Sequence, residues 1–250
     1  MLWQDLTRPQ LDALDRAIPV FLPVAAIEQH GPHLPLATDR IICEHFCGEV
    51  DRRISERALI LPTVAIGCSR HHMDFAGTLT LTHETFIAVV REVLSCVSAH
   101  GFKNLVVLNS HGGNLGAAQV AAESFGAAHP ECRVVNATWW RLAVDRLLEL
   151  NETGAGGVGH ACEFETSLVM VAAPHLIDAD AIQPGETAPT FAWAEADLLR
   201  SPAAGLYRSF AEMTSDGTLG DPTAASAEKG QKITEIVVAE LELIVDDLMK

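Results

Sequence analysis

Short apolar runs alternate along the chain with longer stretches whose apolar positions recur at helical spacing. The runs at 21–27, 58–66, 105–108 and 133–138 read as strands. Pro23 counts against a central, fully paired first strand, and Pro62 breaks the second run. Residues 40–53 put Ile41, Ile42, Phe46 and Val50 on one face of a helix. Thr82 caps another helix, periodic in Phe86, Val89, Val90, Val93 and Val97 and stopped by Gly101. Small residues over 115–128 form a third helix, and a fourth follows Trp139-Trp140 to about residue 150. Residues 151–159 are a glycine-rich, flexible loop, followed by an apolar helix that stops at Pro174. A short helix covers 1–18, 176–225 are irregular, and a final helix spans 226–249. Alternating strands and helices are βαβ units, which build a mostly parallel sheet covered on both faces. No repeat or linker interrupts the pattern, so it predicts a single domain over 1–250.

Polar chemistry gathers where strands end or helices begin. The first apolar run passes into Glu28-Gln29-His30-Gly31-Pro32-His33, and Asp39 follows at a helix start. Glu28 and His30 share one side of an extended chain, because side chains alternate with period two. One nitrogen and two oxygen donors suit Zn, Mn or Fe, although a plain loop with Asp39 as helix cap explains the same residues. Further clusters are Ser69/His72, His111 beside Gly112-Gly113, and His160/Glu165. Open parallel sheets bind ligands at the carboxyl ends of their strands, so four clusters in that register point to one site.

Composition narrows the class. A 250-residue chain that is 48% hydrophobic buries a substantial core. A formal charge of −16 disfavours nucleic acid and anionic membranes. No apolar run is long enough to span a bilayer and no basic-then-apolar leader opens the chain, so a cytoplasmic location is expected. Six cysteines without a C-x-x-C pair are too dilute for a disulfide scaffold.

Glu28-Gln29-His30-Gly31-Pro32-His33-Leu34-Pro35 with Asp39, His72-x-x-Phe75-x-Gly77-Thr78, His111-Gly112-Gly113-Asn114, and His160-Ala161 with Glu165-Thr166-Ser167 resemble the creatininase (creatinine amidohydrolase) family. The resemblance runs from about residue 18 to 173, with a weaker echo at Gly220-Asp221-Pro222. It implies a three-layer α/β/α sandwich, a two-metal hydrolase site and a homohexamer. It also implies the ligands. Glu28 and His111 hold one divalent ion, His30 and Glu165 the other, and Asp39 bridges them, with zinc foremost and manganese or iron as alternatives. A metal-bridging hydroxide then attacks the amide carbonyl, and His160 carries the proton to the leaving nitrogen. His72, Trp139 and Gly112 are the candidate substrate-binding residues, with core packing the other reading of Trp139.

Two departures redirect the substrate. Creatininases proper carry Tyr-Glu where this chain has Gly112-Gly113, and Glu where it has Gly159. The His-Gly-Gly-Asn form is similar to family members that mature peptide-derived cofactors or deformylate formamidopyrimidines. The expectation is therefore a small cyclic or linear amide, with a peptide or formamide as the alternative. A non-catalytic metal-binding protein on the same fold is the rival from another class. Glu163, two residues from Glu165, competes for the last ligand position.

Overall fold

In the computed structural model, which describes residues 1–250, four strands form one parallel sheet. They are β1 (Val20–Val24), β2 (Leu59–Ile60), β3 (Asn104–Asn109) and β4 (Arg133–Thr138), in the order β2-β1-β3-β4. The helices are α1 (Arg8–Asp12), α2 (Thr38–Ile54), α3 (His83–Ala99), α4 (Leu115–Ala128), α5 (Val144–Leu148), α6 (Glu163–Ala172) and α7 (Ala227–Leu248). Period-two alternation sorts the strand residues into two cores. Phe21, Val106 and Leu108 face α2, α6 and α7, packing with Phe46, Phe164 and Val237. Val20, Leu22, Val24, Leu105 and Val107 face α3 and α4, packing with Phe86, Val90, Ala118 and Phe125. The result is the three-layer α/β/α sandwich. No helix is long and apolar enough to cross a membrane.

Pro23 sits in a central strand after all, and the hydrogen bonds show why. The Phe21 and Pro23 carbonyls accept from Leu61 and Val64, so odd-numbered residues of β1 turn their polar backbone towards β2. Val24 turns towards β3, where its carbonyl accepts from Ser110. The N–H that proline lacks would thus face β2, which has already ended at Ile60. Pro62 likewise explains why the expected strand over 58–66 shrinks to two residues and one isolated bridge, Val24 to Val64.

Two other expectations change. Residues 139–150 break into a single turn of 3₁₀ helix at Trp139–Arg141 and the short α5. The glycine-rich loop ends in a strand, β5 (Val158–His160), paired antiparallel with β6 (Leu219–Gly220) from the stretch expected to be irregular. His160 therefore stands on a strand rather than on the flexible loop.

The connection after β1 leads outward to β2, and the chain then returns to β1's other side as β3. That reversal opens a crevice at the carboxyl ends of β1 and β3, where α/β sheets bind ligands.

Candidate metal centre

Both walls of this crevice carry ligand-type side chains. Glu28 and His30 follow β1, and His111 follows β3. Asp39 lies in the first turn of α2 but makes no capping bond. Instead its Oδ1 is 3.4 Å from His30 Nε2 and its Oδ2 is 3.1 Å from His111 Nδ1. His111 Nε2 is 3.3 Å from Glu28 Oε2, and His72 Nε2 is 3.2 Å from Glu28 Oε1. His160, at the end of β5, brings its Nδ1 to 3.7 Å from Glu28 Oε1 and sets its ring, tilted by 34°, 4.1 Å from that of His30.

Glu165 enters from α6. The chain reaches it through Ala161, whose φ of 52° is unusual for a residue with a Cβ. That turn aims the Ala161 N–H at Glu165 Oε2, 2.6 Å away. Glu163 is bonded elsewhere. Its carboxylate accepts from the Glu152 and Thr153 backbone, from the Thr153 hydroxyl and from Lys229. Of the two glutamates, only Glu165 shares a cluster with His30 and His160.

Three triads of donor atoms each lie within 4.8 Å of one another: Glu28/Asp39/His111, His30/His160/Glu165 and Glu28/His72/His160. Glu28 Oε1 and Oε2, His30 Nε2 and Asp39 Oδ2 are buried without hydrogen-bond partners. Buried polar atoms without partners are costly, and four of them among these triads fit the binding of divalent cations. The local hydrogen bonds suit the same purpose. His30 Nδ1 donates to the Glu28 carbonyl and His111 Nε2 to the Cys68 carbonyl, which leaves His30 Nε2 and His111 Nδ1 facing the Asp39 carboxylate.

Proton affinities carry the same signature. Burial pushes the Glu28 and Glu165 carboxyls up to about 7. Burial opposes the His30 and His111 cations, yet the surrounding carboxylates outweigh it and raise them to about 10 and about 9. Burial likewise opposes Asp39 ionisation, but His30 and His111 hold its carboxyl well below the usual range. His72 and His160 are driven down by burial and stay neutral. A cation entering here displaces protons that the cluster otherwise retains.

The cluster floors a cavity of about 210 Å³. Trp140, Leu198, Phe210 and Leu219 wall it, and Gly112 borders it. Of the adjacent tryptophans, Trp139 is buried against Phe46 in the core, so the wall is Trp140. His72 lines the cavity beneath Phe210, ring centroids 3.7 Å apart. No sequence pattern marks His71, Asp197, Leu198, Phe210 and Leu219 as cavity residues. His71 stood in the right loop, while the others lie in the stretch that lacks periodicity.

Of the three glycines that depart from creatininases proper, Gly113 and Gly159 are fixed by packing, whereas Gly112 borders open space. A Cβ at Gly113 would meet the Cys68 carbonyl at 2.1 Å, and one at Gly159 the Leu219 carbonyl at 2.4 Å. This backbone accepts a glutamate at neither place.

Comparison with known proteins agrees with the fold. Residues 4–245 match the family described as creatinine amidohydrolase. A mycofactocin precursor peptide peptidase of Mycobacterium ulcerans (strain Agy99) is 31% identical over 221 residues, 86% of this chain and 79% of that protein. A creatinine amidohydrolase of Pseudomonas putida is 29% identical over 235 residues, 88% and 85% of the two. A solved manganese creatininase has a TM-score of 0.78 at 27% identity, over 99% of this chain and 98% of that one. A mutant creatininase of the Zn-Zn type scores 0.76, also at 27% identity over 99% and 98%. Sequence and fold thus converge over nearly the whole length, and the chain is a hydrolase of the creatininase family.

Proposed function

We propose that the chain is a divalent-metal-dependent amidohydrolase that cleaves the C–N bond of a small cyclic or linear amide. The observation that carries this reading is that four donor atoms of Glu28, His30 and Asp39 are buried without partners among the triads of ligand-type side chains. Glu28 and His111 would hold one ion and His30 and Glu165 a second, with Asp39 shared, since its two oxygens face His30 and His111. Bound there, divalent ions polarise an amide carbonyl and make water acidic near neutral pH. The solved relatives with manganese and zinc support either metal.

The remaining work falls to side chains. His160 has Nδ1 uncommitted, since its Nε2 donates to the Gln29 carbonyl at 2.7 Å. From that nitrogen it carries a proton to the leaving amine. Trp140, Leu198, Phe210 and Leu219 exclude water around the substrate. The cavity falls below the roughly 300–1,000 Å³ of pockets for drug-sized ligands, which favours a small substrate or the terminal piece of a longer one. A second reading, a peptidase on the same floor, is favoured by the 31% identity to a precursor-peptide peptidase.

Elemental analysis of wild type and Glu165→Ala, joined to a screen of small amides and short peptides, tests the proposal. It expects about two ions per chain in the wild type and about one in the variant. It also expects turnover of at least one amide, lost with chelator and restored by metal. Metal without turnover favours a binding protein, and failure to retain metal after reconstitution overturns the reading.

A further inference from the structure

Gln29 lies between Glu28 and His30, and backbone groups alone orient its amide. Oε1 accepts from the Gly31 N–H at 3.0 Å, and Nε2 donates to the Gly217 carbonyl at 3.1 Å. An N–H only donates and a carbonyl only accepts, so the amide has one permitted orientation. Two left-handed glycines make room for it. Gly31 has φ 61° and Gly217 φ 89°, and a Cβ on Gly217 would come within 1.8 Å of Gln29 Oε1.

The second amide N–H faces His72 Nδ1, 3.0 Å from Nε2. That ring nitrogen has to accept, which places the single proton of the neutral imidazole on its Nε2. His72 Nε2 is the atom that approaches Glu28 Oε1. With a proton there it offers no lone pair, and the Glu28/His72/His160 triad loses one of its three donors. The Gln29 backbone carbonyl acts on the other ring. It accepts from His160 Nε2, so neutral His160 keeps its lone pair on Nδ1. The 3.3 Å contact between Gln29 Nε2 and His160 Nε2 brings two N–H groups side by side and adds no bond.

We propose that Gln29 is a positioning residue whose side-chain amide fixes His72 as the Nε2–H tautomer and so withdraws it from the metal ligands. Its backbone carbonyl fixes His160 as the same tautomer, with Nδ1 free for proton transfer. The consequence for hydrolysis rests on the amidohydrolase reading, whereas the tautomers do not.

Long-range ¹H–¹⁵N correlations of the histidine rings test this, first on metal-free protein near neutral pH and then with zinc added. In the wild type both His72 and His160 are expected to carry the proton on Nε2, and zinc is expected to leave His72 unchanged. In Gln29→Leu, which keeps the bulk and loses the donor, His72 is expected to lose its single-tautomer signature. His160, held by the backbone of residue 29, stays as it was and serves as the internal control. A proton on His72 Nδ1 in the wild type, zinc on its Nε2, or an unaltered His72 in Gln29→Leu overturns the proposal. Should Gln29→Leu fail to fold, the wild-type spectra decide alone. None of these readouts needs turnover, so a failed amide screen counts against the hydrolase reading and leaves this inference standing.

Discussion

The floor of the cavity is carried by the ends of β1 and β3 and the first turn of α2, whereas its roof comes from residues 196–219, outside the main sheet. Floor residues are locked by short-range geometry: His30 by the Glu28 carbonyl, His111 by Cys68 and Asn109, Glu165 by Ala161. The roof is tied down by isolated bonds, from the Leu198 N–H to the Val158 carbonyl and from the Gly156 N–H to the Asp197 carboxylate, and by the short pairing of β5 with β6. The side chains proposed to hold metal must stay where they are for the proposed chemistry to proceed, and strand ends provide that rigidity. A roof held by a few bonds can vary without disturbing them. Change in the floor should therefore abolish the reaction, and change in the roof should alter what is accepted.

The sharpest way to break the contrast is His111→Ala. It removes a donor beside both Glu28 and Asp39. Turnover should fall on the order of 10³-fold, worth about 4 kcal/mol of transition-state stabilisation, with about one ion lost per chain. Kinetics together with elemental analysis checks it, and full metal content would move the ligand elsewhere. Next in size is Glu163→Ala. It leaves Lys229, which is buried, with only the exposed Glu152 and a backbone carbonyl as partners. Denaturant unfolding should show a loss of about 3 kcal/mol while metal content holds. Glu165→Ala should do the reverse, and the pair separates a structural carboxylate from a metal-facing one.

Gly112 and Gly113 sharpen the comparison further, because they are neighbours that belong to different sides of it. A Cβ at Gly112 meets nothing within 4 Å, while one at Gly113 collides with Cys68 and His111. Gly112→Leu should fold and bind metal normally. It should raise KM about tenfold for the bulkier substrates, worth about 1.4 kcal/mol, because it fills space beside the cavity. Gly113→Ala should instead lose metal. If Gly112→Leu also lost metal, floor and roof would not be separable at this edge.

How much of this was visible in the sequence follows the same division. Period-two and helical patterns placed β3, β4, α2, α3, α4 and α7 within a few residues, because those elements bury one face and leave a periodic trace. Glu28, His30, Asp39 and His111 were legible because each stands where a strand ends or a helix begins, and Glu165 was singled out over Glu163 by the resemblance to the creatininase family. The roof was not. Phe210, Leu198 and Leu219 are brought over the cavity by long-range backbone pairing such as β5 with β6, and a two-residue strand leaves no period to read. Trp139 and Trp140 show the limit differently. The apolar pair marked a wall, but a 3₁₀ turn after β4 decided which ring faced the core. Pro23 counts against a fully paired central strand, and this holds on one side only: its missing N–H faces where β2 has ended.

The smallest effect lies just behind the floor. His33 donates to or accepts from Thr166 Oγ1 at 3.0 Å, and burial, aided by the charge of His30, lowers its ring to about 4. An unfolded histidine titrates near 6.5, so between 6.5 and 4 the unfolded chain binds the extra proton. Stability is therefore complete above 6.5 and is lost as pH falls through that window. Between pH 7 and 5.5 this one ring should cost about 1 kcal/mol. Chemical unfolding of metal-free wild type and His33→Gln at both pH values isolates it, since the other titrating groups are common to both chains. Glutamine can still reach Thr166 but cannot take up the proton, so the variant should lose less stability on acidification. Equal losses would place a charged His33 in the folded protein, with Asp216, whose charge acts on the ring, as its counter-ion.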